Sequence, residues 1–499
     1  MTADLAGGAD AIALFAVPGY GLTELFPALR RQPLPRRAAY GYLLGVAAVA
    51  GSLYGLSHTC GVALRAPAVW ATASVPALAG LAARLLRRRR AGRAPRPRAL
   101  AGLPSMVRSL GGPLAAACAL AAAAICLGVF AEAMTNPPHD WDGRMTWCTQ
   151  ARYVRAAGTV DADVLLEERW SVTHPQYPLL LPVAQVAALE AFGADPDSHL
   201  PRAVYAAFLP TLLLVVYDGT RRAAGPTAAA LAALATAAAP FFVRGEGGAE
   251  STYSDLPLAC FYGAALVLLL GPRPRAESSL AAGLLLAAAV LTKNEGTALA
   301  CLALVLGWRA RGSAGGAGAS HRRPFRTGAW RFAAAAAPVV LALALLASWR
   351  AGIPNREDES YPHLVHTASL WPGIVTSPLA FVPVMIDKMN RFRHWAGLWW
   401  MAPAALLAGR RALRHPRLRR YLAAAAGPPA IAWAAYSVHP LPAFLAAVTW
   451  ERFLLQAAVP LTIVLAGALA EVWRSLLPDP SYGGKAVLSS PPQKVPGGL

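Results

Sequence analysis

Charge is scarce in this sequence. Only 14% of its 499 residues are Asp, Glu, Lys or Arg, against about 25% in an ordinary soluble domain, which excludes a normal water-facing globular surface. Cysteine is scarce as well, with six spread thinly along the chain. Cys118, Cys126, Cys260 and Cys301 fall in apolar stretches, so neither a disulfide framework nor a zinc-ligand pattern is present. Carboxylates are outnumbered, 26 against 46 basic residues, for a net charge of +20. In a soluble chain that balance points to nucleic acid, but here no soluble domain is available to hold a duplex. No short internal repeat is visible. No basic segment precedes the first apolar stretch, which is therefore expected to stay as a span and not to be removed as a signal peptide.

What is plentiful is hydrophobic residue, 56% of the chain, gathered into long runs. Pro113–Phe130, Pro226–Val243, Phe332–Trp349 and Phe453–Ala470 are examples. Apolar runs of about 18 residues or more are long enough to cross a bilayer as helices. Lipid satisfies no backbone polar group, so a spanning segment is a helix or part of a closed barrel, and these runs are too long and too continuously apolar for barrel strands. The expected fold is all-α, a polytopic transmembrane helical bundle.

The basic residues supply the orientation. They cluster at Arg30 to Arg37, Arg87 to Arg98, Arg221 and Arg222, Arg273 and Arg275, Arg309 to Arg331, and Arg410 to Arg420. Short basic loops face the cytoplasm, so spans must come in pairs between them. That predicts about thirteen spans, at 10–29, 40–60, 66–86, 112–134, 202–218, 226–243, 256–271, 279–292, 296–309, 332–349, 395–410, 421–438 and 453–474. The N-terminus falls outside and the C-terminus inside. Residues 1–110 hold three N-terminal spans and a basic loop. Residues 111–475 form the main transmembrane domain, with long outer loops at 135–201 and 352–394, and 476–499 is a polar, Gly- and Pro-rich tail expected to be disordered. The Arg311–Arg323 segment reads as a flexible cytoplasmic linker. Within the first outer loop, Tyr177–Phe192 is apolar but short, and is expected to lie on or dip into the outer surface.

The same threading sends most basic residues inside and nearly all carboxylates outside, so the candidate chemistry gathers on the outer face. Asp140 and Asp142, in His-Asp-Trp-Asp-Gly-Arg at 139–144, stand two residues apart after the fourth span. They suit a general base or, with a further group, a metal, and equally a solvated helix end. Asp255, in Tyr-Ser-Asp-Leu-Pro at 253–257 and preceded by Glu246 and Glu250, suits a helix cap or an acid fixed in place by capping. Lys293 and Glu295, in Thr-Lys-Asn-Glu-Gly at 292–296, interrupt an apolar stretch; ionisable groups at such depth are functional candidates, or simply charges in a tight turn. Arg452, in Trp-Glu-Arg-Phe at 450–453, suits a bidentate grip on phosphate or on ordinary lipid headgroups. His174 and Tyr177 sit in His-Pro-Gln-Tyr-Pro-Leu, whose prolines stiffen the entry to the apolar stretch.

In this order the motifs resemble membrane glycosyltransferases of the C superfamily (GT-C, family 39-like), which use polyprenyl-phosphate sugars. That group includes the protein mannosyltransferases, the aminoarabinose transferases and the lipopolysaccharide-core transferases of rhizobia. The resemblance is carried by Trp141-Asp142 with Trp147 and Ala151-Arg152, by 174–182, by 253–257, by 293–296 and by Glu-Arg-Phe-Leu-Leu at 451–455. It implies that Asp142 is the catalytic base, with Asp140 the adjacent alternative because Asp-Trp-Asp departs from the family's usual Asp-Glu or Asp-Asp. Asp255 is implied as the second acid, and Arg452 with Lys293 as holders of the donor phosphate. Glu295, His174, Tyr177 and Glu250 complete the implied substrate site. No cofactor is implied beyond the lipid-phosphate sugar co-substrate, and no metal is indicated. The implied partners are that donor, a glycan, lipid or protein acceptor and membrane lipid, at the outer face of the cytoplasmic membrane, with an inverting displacement. The competing expectation is a transporter or flippase of a lipid-linked or anionic substrate, which needs its charges near the bilayer midplane.

Overall fold

The computed structural model describes residues 2–91, 111–138, 140–271, 276–312, 323–353 and 370–476. Among them the chain is helices and turns, with no strand. The principal helices are α1 Thr2–Leu25, α2 Leu34–Cys60, α3 Ala66–Ala91, α4 Pro113–Thr135, α5 Leu180–Ala191, α6 Leu200–Ala224, α7 Pro226–Ala238, α8 Asp255–Leu269 and α9 Ala276–Thr292. There follow α10 Glu295–Gly312, α11 Arg323–Arg350, α12 Leu370–Asn390, α13 Leu398–Ala408, α14 Pro416–Val438, α15 Pro442–Gln456 and α16 Ala458–Leu476. Seven helices are long and apolar enough to cross a membrane, and five more are apolar but shorter. Each of the expected spans overlaps at least one helix, and the chain is a membrane-type helical bundle.

Two kinds of helix build it. In α8 every residue from Asp255 to Leu269 is buried, because α6, α9, α10, α15 and α16 pack around it. By contrast α4 and α11 stay apolar on their outward faces, with Leu120, Leu127 and Leu341 exposed. An outward apolar face on a helix long enough to span suits contact with lipid. Small residues set the closest approach. A Cβ on Gly19 would lie 1.7 Å from the Gly41 carbonyl oxygen, so α1 and α2 touch backbone to backbone, as packed membrane helices do.

One end of the bundle is closed by buried ions. The Arg36 guanidinium donates to Asp218 Oδ1 at 3.0 Å and the Tyr40 hydroxyl to Oδ2 at 3.1 Å, while Arg222 also pairs with that carboxylate. Glu24 takes Arg37 at 2.5 Å and is also paired with Arg87. These contacts tie α1, α2, α3 and α6 together among the basic clusters.

Three expectations change. The Tyr177–Phe192 stretch does not lie on a surface: Leu180 to Leu189 of α5 are all buried, against α2, α3 and α6. Its apolar residues run right around the helix, so it needs cover on every side. The described part of the second outer loop is largely helical, because α12 occupies 370–390 despite Pro378 and Pro383. Burial of Phe381 and Met385 against α14 and α15 offsets the helix-breaking cost of proline. The last span is α16 alone. Arg452 belongs to α15, which crosses the bundle end from Thr449, bonded to Tyr436, to Gln456, bonded to Asp255. The expected linker core at 313–322, the tail beyond 476, the arginines of 92–98, His139 and residues 354–369 lie outside the described residues.

Candidate active site

Asp142 stands at the start of a π-helical turn, Gly143–Cys148, that leads into the helix Thr149–Ala157. Such turns widen a helix by one residue and recur at functional sites. Gly143 is needed there, because a Cβ would fall 2.4 Å from Thr252 Oγ1. That close approach brings the 252–255 segment alongside. The Asp142 backbone N–H donates to the Tyr253 hydroxyl oxygen at 3.1 Å, and Arg452 donates to Asp142 Oδ2 at 2.6 Å. The same guanidinium lies 4.9 Å from the centre of the Tyr253 ring, a cation–π distance.

Asp255 opens α8 and is fully buried. Its Oδ1 accepts from Lys293 Nζ at 2.8 Å and from Gln456 Nε2 at 3.1 Å. Lys293, in the two-residue turn between α9 and α10, also meets Glu295 at 3.0 Å. Gly247, with φ 94°, lets its backbone pass where a Cβ would stand 3.0 Å from the Asp255 Cβ. Arg452 and Gln456 are four residues apart and so share one face of α15. One reaches the first acid and the other reaches the second.

The third element is the 174–178 turn. His174 adopts a left-handed backbone, φ 51°, and stacks on Tyr177 at 4.9 Å, which stacks on Trp147 at 5.7 Å. Gln150 holds the turn by donating to the carbonyls of Thr173 and His174 at 3.1 and 2.8 Å. Arg350 joins it to the Lys293 turn, donating to the Gln176 carbonyl at 2.9 Å and to the Asn294 side chain.

A cavity of about 440 Å³ opens beside this cluster. Tyr177, Lys293, Glu295 and Arg452 form its polar side, and Ile431, Ala434, Ala435, Leu445 and Phe453 of α14 and α15 contribute an apolar wall. Asp142 stands behind Arg452, outside that lining. Of the residues singled out in the sequence, Asp142, Asp255, Lys293, Glu295, Arg452, Tyr177 and His174 are thus brought together. The Asp140 carbonyl accepts from the Arg144 N–H at 3.0 Å, and the Asp142 carboxylate takes Arg452. Glu250 is beside the site, 3.8 Å from Arg244. Tyr253 and Asn294 lay within the quoted motifs without a role of their own, Gln456 and Arg350 lay outside them, and for Gln456 the i,i+4 spacing from Arg452 was the available signal.

Burial raises the Tyr253 pKa and the Asp142 charge raises it further, so the phenol stays protonated. Burial alone would lower the Lys293 pKa, but Asp255 and Glu295 outweigh it and the net shift is upward. Lys293 is therefore an ammonium ion. Lys293 and Arg452, the two cations expected from the sequence to hold a phosphate, are both paired with carboxylates. Among the described residues no group of three or more His, Cys, Asp and Glu is disposed to hold a metal. A second ion cluster sits on another face of α15, where Glu451 meets Lys388 at 3.2 Å and His394 at 2.5 Å. It ties α12 and the turn Phe392–Trp395 to the helix that carries Arg452.

No protein-family model and no curated protein matches the chain. Among solved structures it is similar to an oligosaccharyltransferase of Archaeoglobus fulgidus, crystallised with Zn and sulfate, at 14% identity and a TM-score of 0.37. The match covers 70% of this chain and 53% of that one, so the chain spans about half the length of that enzyme. The side-chain geometry, not this likeness, carries the functional reading.

Proposed function

We propose that the protein is a membrane glycosyltransferase that moves a sugar from a polyprenyl-phosphate donor to an acceptor hydroxyl or amide at the outer face of the cytoplasmic membrane. The observation that carries this reading is one side chain, Arg452, shared by an amphiphile-shaped cavity and a carboxylate at 2.6 Å. An apolar wall with cations at one end suits a lipid phosphate. A carboxylate just behind those cations suits a base.

In the reaction, Asp142 takes the proton of the acceptor as its heteroatom bonds to the anomeric carbon. The bond from that carbon to the phosphate oxygen breaks, and polyprenyl phosphate leaves with the electron pair. Arg452 and Lys293 stabilise the charge that develops on the leaving phosphate. One displacement of this kind inverts the anomeric centre. Asp255, buried beneath Lys293 and Gln456, keeps the ammonium and the end of α15 in place. The Tyr177–Trp147 stack offers an aromatic face beside the cavity.

Transfer of radiolabelled sugar in membranes tests the base. Asp142→Asn is expected to abolish transfer and Asp140→Asn to leave most of it. Full activity in both variants would refute the assignment. A transporter would need the ion cluster to communicate with both ends of the bundle, whereas this one is confined to the loops and helix termini of one end.

A further inference from the structure

Arg202 is an anomaly by burial. It lies in the first turn of α6, is 2% exposed, and puts a cation at the end of a helix that disfavours one. A buried guanidinium is tolerated only when its donors are satisfied. Both terminal amino groups of Arg202 are, and their acceptors come from two separate segments. One amino group donates to the carbonyl oxygens of Glu132 and Pro137, both at 3.4 Å, and to that of Asn136. The other donates to Glu132 Oε2 at 2.7 Å and to the Glu250 carbonyl at 2.6 Å.

The first segment is the end of α4 and the start of the loop that reaches Asp142 six residues after Asn136. The second is the loop that reaches Asp255 five residues after Glu250. We infer that Arg202 is a positioning residue for the proposed transfer, fixing the separation of the two acid-bearing loops from behind while touching no substrate. This rests on the glycosyltransferase reading for its catalytic consequence, but not for its geometry. A planar fork is what the task needs. It serves both loops from one rigid group, whereas an ammonium is a point donor. Displacements of about 1 Å remote from the chemistry cost rate on the order of a hundredfold.

The test has two arms. In the first, spin labels are placed at Trp141 and Arg244, both largely exposed, in a cysteine-free background of the full chain, and their distance distribution is measured by pulsed electron resonance. Arg202→Met and Arg202→Lys are expected to broaden or shift it. An unchanged distribution in a folded Arg202→Met protein overturns the inference. In the second arm, transfer by Arg202→Met is expected to lose about a hundredfold in kcat with donor KM changed by less than about threefold, and Arg202→Lys to recover little of it. Transfer that falls only in proportion to the folded fraction also overturns the inference. If Arg202→Met does not fold, Arg202→Lys carries both arms. Absence of any transfer by the parent protein refutes the enzymatic reading instead, and leaves the distance measurement to judge the loops.

Discussion

If Arg452 is shared between a base and a phosphate, removing the base's charge must tighten donor binding even as it stops the chemistry. Arg452 is bonded to Asp142 at 2.6 Å, with the two side chains 11% and 24% exposed. A lipid phosphate entering the cavity must win that guanidinium away. A hydrogen bond between charged partners at this degree of burial is worth about 1.5–3 kcal/mol, and partial exposure argues for the lower end. In Asp142→Asn the competing charge is gone, while the amide retains the shape and one weak acceptor. At about 1.4 kcal/mol per tenfold, the Kd for polyprenyl phosphate is expected to fall by about tenfold. The measurement is binding of that lipid to purified protein in nanodiscs, at fixed ionic strength, beside Arg452→Met, which is expected to lose binding. An Asp142→Asn protein that is folded but binds the lipid no better, or worse, refutes the exchange of partners. It would leave Asp142–Arg452 as a structural pair. The same logic makes addition ordered, donor before acceptor, because the carboxylate is released only when the phosphate has taken Arg452.

Further outcomes follow from neighbouring contacts. Lys293→Met leaves the Asp255 carboxylate buried with its Gln456 bond but without its ammonium counter-charge, which costs about 3–5 kcal/mol; thermal unfolding in detergent is expected to show a large loss that Lys293→Met with Asp255→Asn partly restores. Gly143→Ala places a methyl 2.4 Å from Thr252 Oγ1 and is expected to lose most transfer, with partial recovery when Thr252→Ala clears the space. No recovery would mean that the π-helical turn itself is what the methyl disturbs. Tyr253→Phe removes the oxygen that accepts the Asp142 N–H and is expected to lower kcat by about tenfold, the equivalent of one ordinary hydrogen bond, with lipid Kd unchanged.

Much of this was legible in the sequence because two of its signals are local. Apolar length and alternating basic clusters marked every helix that became a span candidate. Polar groups interrupting that pattern, at 140–142, 255, 293–295 and 452, marked the site. What was not legible was long-range. Gln456 looks like a lone polar residue in an apolar run, and Arg202 like an ordinary charge closing the polar stretch 195–199; only tertiary contact reveals that each bonds a loop far away in sequence, 201 residues distant for Gln456 and Asp255. The α12 helix was hidden by its prolines, whose local signal is to break a helix. The α5 stretch was misplaced because shortness suggested a surface, while its all-round apolarity required burial.

Buried ion pairs alone do not mark the functional end. The bundle has such a network at each end, and Asp218 is as fully buried as Asp255. The difference lies in what adjoins them. Asp218 has both oxygens taken, by Arg36 and by Tyr40 with Arg222. A cavity of about 270 Å³ between Arg410, Arg411 and Glu471, among the basic loops, is not lined by Asp218 or its partners. At the other end, Arg452 and Lys293 are at once partners of carboxylates, Asp142 half-buried and Asp255 fully buried, and walls of a 440 Å³ cavity. A closed network only costs desolvation and returns rigidity. An open one has cations that an incoming anion can reach, so its ion pairs are exchangeable. On this argument Asp218→Asn is expected to lower the unfolding temperature with little effect on lipid Kd among the folded molecules, the opposite pattern to Asp142→Asn. A shift in lipid Kd from Asp218→Asn as large as that from Asp142→Asn would show that the two ends are coupled, and would favour a transport cycle over a fixed transfer site.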